Sequence, residues 1–452
     1  MKKAFALLLA LIMVLSLAAC GGAAEAPAAD APAADAPAAD TPVADETPAE
    51  EGKVFNIYAW NEEFKGFFEK YYEVPEGITV NWIITPNDGG AYKNKLDEAL
   101  LNQENVPADE KIDMFLLEVD HHIVQYAQSD FTQDIEALGV TDFSNTYPYT
   151  VQAASNTEGV VKGVSFQCCP SALIYRRSIA EDVLGTSEPA EVQALLDSWD
   201  KFNAVAADAK AKGYYMTASD AATYRVFSDN VTAPWVNDAN ELQFDAQIEA
   251  WMDQAKVFSD NGYTINTGIW DEPCTAQMFG DGKTMCYFGP AWYFNFSMGN
   301  AQDPEKGCYG DWAIVQGPQA HFWGGTWLMA SASSDNPTML ADVMNTFIND
   351  EEVCTNLVAN EQQFSNNQAV NAKFAADPEY GNDFLGGQND VAVFVELAKN
   401  IKFENKTIFD QIINEKLQSN WREYCQGNVT EEEALANFYK DIVENHPEVV
   451  TP

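Results

Sequence analysis

The chain has 452 residues, 46% hydrophobic, 12% aromatic and 21% charged, which is ordinary globular usage and enough for roughly two or three domains with ample cores. Lysine and arginine number 25 against 69 aspartates and glutamates, a formal charge of −44. That surplus repels phosphate backbones and anionic headgroups, so nucleic-acid binding is excluded and membrane adhesion through the folded surface disfavoured; 4 histidines leave little for a His-rich metal site, and no metal or cofactor is expected.

Met1-Lys2-Lys3 is a short basic start, followed by an apolar run from Ala4 to Leu17 that is too short to span a bilayer comfortably and has the shape of a signal-peptide core. The run ends in Leu17-Ala18-Ala19-Cys20-Gly21, where small residues before a cysteine resemble the bacterial lipobox. That resemblance implies removal of a signal peptide over 1–19 and lipidation of Cys20. No other stretch approaches the ~20 apolar residues of a membrane span, so the expected anchor is lipid and the folded part lies outside the cytoplasmic membrane.

Residues 20–52 read as a disordered Ala/Pro/Asp stalk, with APAAD repeated from Ala26 and TPVAD closing at Asp45. Such units hold no group able to form a core, and their prolines and aspartates keep the chain extended over a reach on the order of 90 Å. Beyond Cys20 the cysteines are Cys168, Cys169, Cys274, Cys286, Cys308, Cys354 and Cys425, an odd set without a CxxC spacing. At least one thiol is therefore free, and neither a zinc ribbon nor a redox motif is indicated. Cys168-Cys169 reads as buried packing; a Cys274–Cys286 bridge stays open.

From Lys53 strands and helices alternate. Val54 to Ala59 predicts a buried strand; Asn61 then caps a helix that carries Glu62 and Glu63 in its first turn and Phe64, Phe67, Phe68 and Tyr71 on one face. Thr79 to Ile84, Ala91 to Leu101 and Asp113 to Leu117 continue as strand, helix and strand, an order that builds a parallel sheet with helices on both faces. Ligands of such sheets sit beyond the carboxyl ends of the strands, here Trp60-Asn61-Glu62, Pro86 to Gly90 and Glu118 to His121.

A second α/β stretch starts near Ser171. It holds a helix over Glu191 to Lys212, a short strand over Tyr214 to Thr217, a helix over Gln247 to Asn261, and strands over Thr284 to Phe288 and Asp311 to Val315. Another strand opens in Trp323 to Ala330, and helices including Thr338 to Asn349, Thr407 to Tyr424 and Thr430 to Asn445 close the chain.

Four segments, NIYAWNEEF at Asn56 to Phe64, LIYRRSIAEDVLG at Leu173 to Gly185, DGKTMCYFGPAW at Asp281 to Trp292 and FWGGTWLMAS at Phe322 to Ser331, resemble in order and spacing those of extracellular solute-binding lipoproteins of ABC importers, in the branch similar to maltose- and oligosaccharide-binding proteins. The resemblance covers nearly all of residues 53–446. It implies an α/β fold, a two-lobed periplasmic-binding-protein-like type II clamp with C-terminal helices. Lobe one spans 53–168 with about 321–398, and lobe two 169–320 with about 399–452. It further implies permease subunits as partners, a monomer on the outer face of the bacterial membrane, and no catalysis. Two departures stand out: Ile179-Ala180-Glu181 where the family often has a larger apolar residue, and the paired thiols in the hinge segment Phe166 to Pro170.

A sugar needs flat aromatic faces for its C–H patches and carboxylates or amides for its hydroxyls. The candidates at strand ends are Trp60, Asn61 and Glu62, Asp120 beside His121, Trp292 with Tyr293, and Trp323 and Trp327 flanking Gly324-Gly325. The family pattern places a stacking tryptophan at Trp292. Asp220, Tyr224 and Asp88 are further candidates, Asp88 doubling as a turn former. Trp235 and Trp270 either extend the platform or cap helices. The expected function is capture of an extracellular oligosaccharide for import. A peptide or amino acid is the alternative solute, and a surface-anchored glycoside hydrolase, needing two carboxylates roughly 5 to 10 Å apart, the remote one.

Overall fold

The computed structural model describes residues 52–119 and 123–452. The expected signal peptide, Cys20, the stalk and Asp120 lie outside the described residues. No helix among the described residues is long and apolar enough to cross a membrane.

Strand β1 (Val54–Ala59) pairs in parallel with β2 (Thr79–Ile84) and β3 (Met114–Glu118). The sheet is completed in the order β2-β1-β3-β9-β4, with β9 (Thr326–Ala330) antiparallel to both β3 and β4 (Gly163–Ser165). The predicted parallel sheet is thus mixed, because a strand from late in the chain enters it from the opposite direction. Asn61 works at the helix start: its side-chain oxygen accepts from the Glu63 N–H at 3.1 Å, ahead of the helix Glu63–Tyr71. Phe64, Phe67 and Phe68 bury the inner face of that helix against Phe166 and Phe347, each side chain contributing roughly 1.5–3 kcal/mol by its removal from water.

The second sheet runs β6-β5-β7, with β5 (Pro170–Arg176) central between β6 (Cys286–Gly289) and β7 (Trp312–Val315), all antiparallel. A two-residue strand, β8 (His321–Phe322), pairs with the beginning of β5. Leu173, Tyr175 and Phe288 pack on Phe202 and Phe258 on one face; Ile174, Tyr287 and Trp312 pack on Phe384 and Phe394 on the other. The single helix predicted over 191–212 is two, Pro189–Leu196 and Trp199–Ala211, because the Ser198 side chain accepts from Lys201 N and starts a new helix. The strand predicted over 214–217 reduces to one bridge, Tyr215 to Thr284, since the next residue, Met216, donates its N–H to Tyr263 instead. The last two helices, Asp410–Cys425 and Glu431–Asn445, pack on Ala246–Asn261 through Trp251, Ile413, Leu417, Phe438 and Ile442.

Among the described residues three segments cross between the sheets. Residues 166–169 join β4 to β5, and 323–325 join β8 to β9. The third lies near 360–367, where Cys168 N donates to Phe364 O at 2.9 Å and Asn366 bonds Ser165 O and Thr150. Sequence reading placed this crossing near 398. The difference comes from the helix Asp390–Ala398, whose Val391, Phe394 and Leu397 are buried on the second sheet, with Gln388 clasping both the N–H and the C=O of Ile314 in β7.

Candidate functional site

Antiparallel entry of β9 brings four chain ends to one edge of the first sheet. The carboxyl ends of β1 and β3 deliver Trp60 and Glu118, the start of β9 delivers Thr326, and the segment after β4 delivers Gln167. Facing them from the second sheet, β6 ends at Gly289-Pro290 and turns into the helix Ala291–Phe296, which presents Trp292, Asn295 and Phe296. Between these walls lies a cleft of about 460 Å³, within the range of small-molecule sites, also lined by Asn61, Glu63, Trp270, Trp323 and Gln363.

One wall of the cleft is aromatic. Trp292 meets Trp323 nearly edge-on at 5.3 Å between ring centres and donates its indole N–H to the Trp323 carbonyl at 3.1 Å. Phe296 packs edge-on against Trp292 and against Trp270, and Trp270 tilts over Trp323 at 5.5 Å. Trp270 is 54% and Phe296 76% exposed, so large apolar faces stand open to solvent at the cleft mouth. On the opposite side Trp60 is half-buried and held edge-on by Tyr92. Gly324 and Gly325, both at positive φ, let the backbone pass close to the floor; a Cβ on Gly324 would lie 2.9 Å from the Glu118 carboxylate.

The polar groups are carboxylates and amides. Glu63 accepts from the Gln363 side chain at 3.4 Å, and burial pushes its carboxyl up to about 7 in spite of that bond. Glu118 stands at the end of β3. Among the described residues lining this cleft there is no basic side chain. Cys169 lies beneath the floor, its thiol pushed well up by burial and by the charges of Cys168, Glu63 and Glu118. All seven cysteines among the described residues are free and buried, so Cys274 and Cys286 are not bridged.

Residues 67–385 match the family model of bacterial extracellular solute-binding proteins. This chain belongs to that family. Solved solute-binding proteins share its fold. One described as an extracellular solute-binding protein of family 1 superposes with a TM-score of 0.73 at 16% identity, covering 86% of this chain and 99% of the other. The ABC transporter associated binding protein of B. animalis subsp. lactis, solved with β-1,6-galactobiose, gives 0.66 at 18% identity over 89% and 100%. A substrate-binding protein of Listeria monocytogenes in complex with cycloalternan gives 0.65 at 16% over 88% and 100%. No curated protein sequence matches the chain. The fold is therefore the two-lobed α/β clamp, and both family and fold are those of transport binding proteins, which are not enzymes.

In this solute-binding protein the residues expected at the site divide. Trp60, Asn61 and Trp292 line the cleft together, and Trp323 borders it while only 4% exposed. Glu62 is exposed and its neighbour Glu63 takes the inward place, because the helix starts one residue later than its acidic run suggests. Asp88 is exposed in the turn Asp88–Gly90 that opens the next helix, so it serves as the turn former. Tyr293 is buried beneath Trp323 as part of the core. Trp327 is fully buried and donates to the Thr150 carbonyl at 2.8 Å; beyond the glycine break β9 turns its ring into the core. Asp220 is buried and receives Arg422 Nε at 3.0 Å on both oxygens, and Tyr224 lines a neighbouring cavity. Of the two open aromatics, Trp270 joins the cleft and Trp235 is core.

Sequence reading missed Glu118, Gln167, Asn295, Phe296 and Gln363 as lining residues. Glu118 was within reach, as the last residue of a strand whose carboxyl end was already singled out. Phe296 follows Trp292 by four residues, one helical turn, a spacing visible once Ala291–Phe296 is taken as helix. Gln363 carries no local signal: only the third crossing places it there.

Proposed function

We propose that this protein captures an oligosaccharide between its lobes and delivers it to the permease of an ABC importer, held at the outer membrane face through a lipid on Cys20. The observation that carries the reading is the aromatic box of Trp270, Trp292, Phe296 and Trp323 opposite Glu63, Glu118, Asn61 and Gln363. Rings offer faces to sugar C–H patches, and carboxylates and amides accept and donate to the hydroxyl rim. Sugar ligands in the related structures support the same reading. Contacts to both lobes favour the closed clamp by differential affinity, which is what a hinge motion requires. Solute release then falls to the permease.

The test is isothermal titration against neutral oligosaccharides of several linkages. Micromolar or tighter binding to one linkage class, weakened at least tenfold in Trp292→Ala, is the expected result. Silence across the sugars together with heat from peptides or amino acids refutes the carbohydrate part. Release of reducing ends refutes the binding-protein part.

A further inference from the structure

A second cavity of about 560 Å³ adjoins the aromatic cleft, sharing Glu118, Trp270 and Trp323 with it. Each is the size of a complete small-molecule site. Their chemistry differs. The second cavity is floored by one face of the helix Asp410–Cys425, where Gln411, Asn414, Gln418 and Arg422 recur at steps of three and four residues. Its groups are fixed before any ligand arrives. Asp220, whose side chain is 1% exposed, takes Arg422 Nε with both oxygens and leaves the two terminal guanidinium nitrogens to donate elsewhere. The Asn414 side-chain oxygen is engaged by Tyr224 OH and Trp235 Nε1, so its NH2 is the end left to donate. At the far wall stands His321, 2% exposed.

We propose that this second cavity is a distal subsite in which Arg422, set by Asp220, binds the end of the solute remote from the aromatic box, so that the ligand is an oligosaccharide of three or more units rather than a mono- or disaccharide. The proposal rests on the oligosaccharide reading above and adds its length. Trp323 and Trp270 lie where the two cavities join, so a chain stacked in the box continues past them onto the amide face. A guanidinium held by a buried carboxylate loses little freedom on binding and presents paired donors to neighbouring hydroxyls. Asp220 is a positioning residue in this scheme; it touches Arg422 and not the solute.

The experiment titrates the full-length protein with maltose-, cellobiose- and isomaltose-type series of two to five units. In the linkage class that binds, affinity is expected to rise at least tenfold, about 1.4 kcal/mol, between two units and four. Arg422→Gln removes that gain and leaves disaccharide affinity within twofold; Asp220→Asn does the same in part. Trp292→Ala, by contrast, weakens every length. Gln418→Ala, on the same helix face, reproduces the loss of the length effect if Arg422→Gln does not fold. Affinity independent of length, or an Arg422→Gln loss equal for two and four units, overturns the subsite while leaving the sugar reading intact. Failure of every length and linkage to bind overturns the sugar reading and the subsite with it.

Discussion

Glu63→Gln separates burial from binding. The carboxyl sits at the first turn of its helix with only the Gln363 amide on it, and burial raises it from 4.5 to about 7. A raised acid binds more protons in the folded chain than in the unfolded one between those values. Its contribution to stability is therefore full below about pH 4.5 and lost as pH climbs through about 7. At about 1.36 kcal/mol for each pH unit, the loss has a ceiling of about 3 kcal/mol. Partial access of water from the cleft lowers this to about 1–3 kcal/mol. Glutamine keeps the acceptor for Gln363 and cannot ionise, so the variant escapes the penalty. Ligand-free Glu63→Gln is expected to melt a few degrees above the wild type at about pH 8 and level with it at about pH 4.5, in paired scanning calorimetry. Melting curves that stay parallel across this range would refute the reasoning, because they would show a carboxyl as well solvated in the fold as out of it.

Trp327→Ala, in the core behind the cleft, is expected to cost about 3–5 kcal/mol, with the thermal midpoint falling in the absence of any ligand; a merely weakened sugar affinity at unchanged midpoint would contradict its placement. Lys406 pairs with Asp229 at 3.0 Å, their side chains 11% and 8% exposed, and the other Asp229 oxygen accepts from Phe322 N. Lys406→Met removes the hydrogen-bonded cation from that carboxylate, with the Arg225 charge left near it, and is expected to cost about 3 kcal/mol in urea unfolding, partly restored by adding Asp229→Asn; a loss below about 1 kcal/mol would contradict it. The seven buried thiols are expected to resist an aromatic disulfide reagent until denaturant is added, and reductant leaves the melting temperature unchanged. A fast-reacting thiol among them would contradict the burial described.

Strands and helices of the first lobe were legible because each hides a continuous apolar face with local punctuation. Val54–Ala59, Thr79–Ile84 and Ala91–Leu101 appear at the residues their patterns predict. The last helix, expected from Thr430, begins at Glu431, with Thr430 and Glu433 side chains forming a reciprocal cap on it. What escaped depends on contacts far apart in sequence. The third crossing is set by where Val391 and Phe394 find an apolar sheet, and the direction of Trp327 by the register of β9 against Leu117. The aromatic site was half legible for the same reason: composition marks Trp60, Trp292 and Trp323, whereas Tyr293 and Trp327 look alike in the sequence and are distinguished only by which side of the backbone is already filled.

Trp323 has an unusual station. Its ring is shared by both cavities and carries the Arg225 guanidinium at 4.7 Å, while its backbone N–H donates to the Cys169 carbonyl at 3.1 Å. The residue is thus a bearing surface mounted on the joint: it belongs to one crossing segment and is bonded to another. The ring is 4% exposed, covered by Trp270, Trp292, Tyr293 and Arg225, so a solute held on Trp292 or Trp270 in the proposed function would bear through it on the segments that join the two sheets. Trp270, Trp292 and Trp323 form one cluster at that joint, so a substitution at Trp323 is expected to disturb the cleft wall and the crossing segment together.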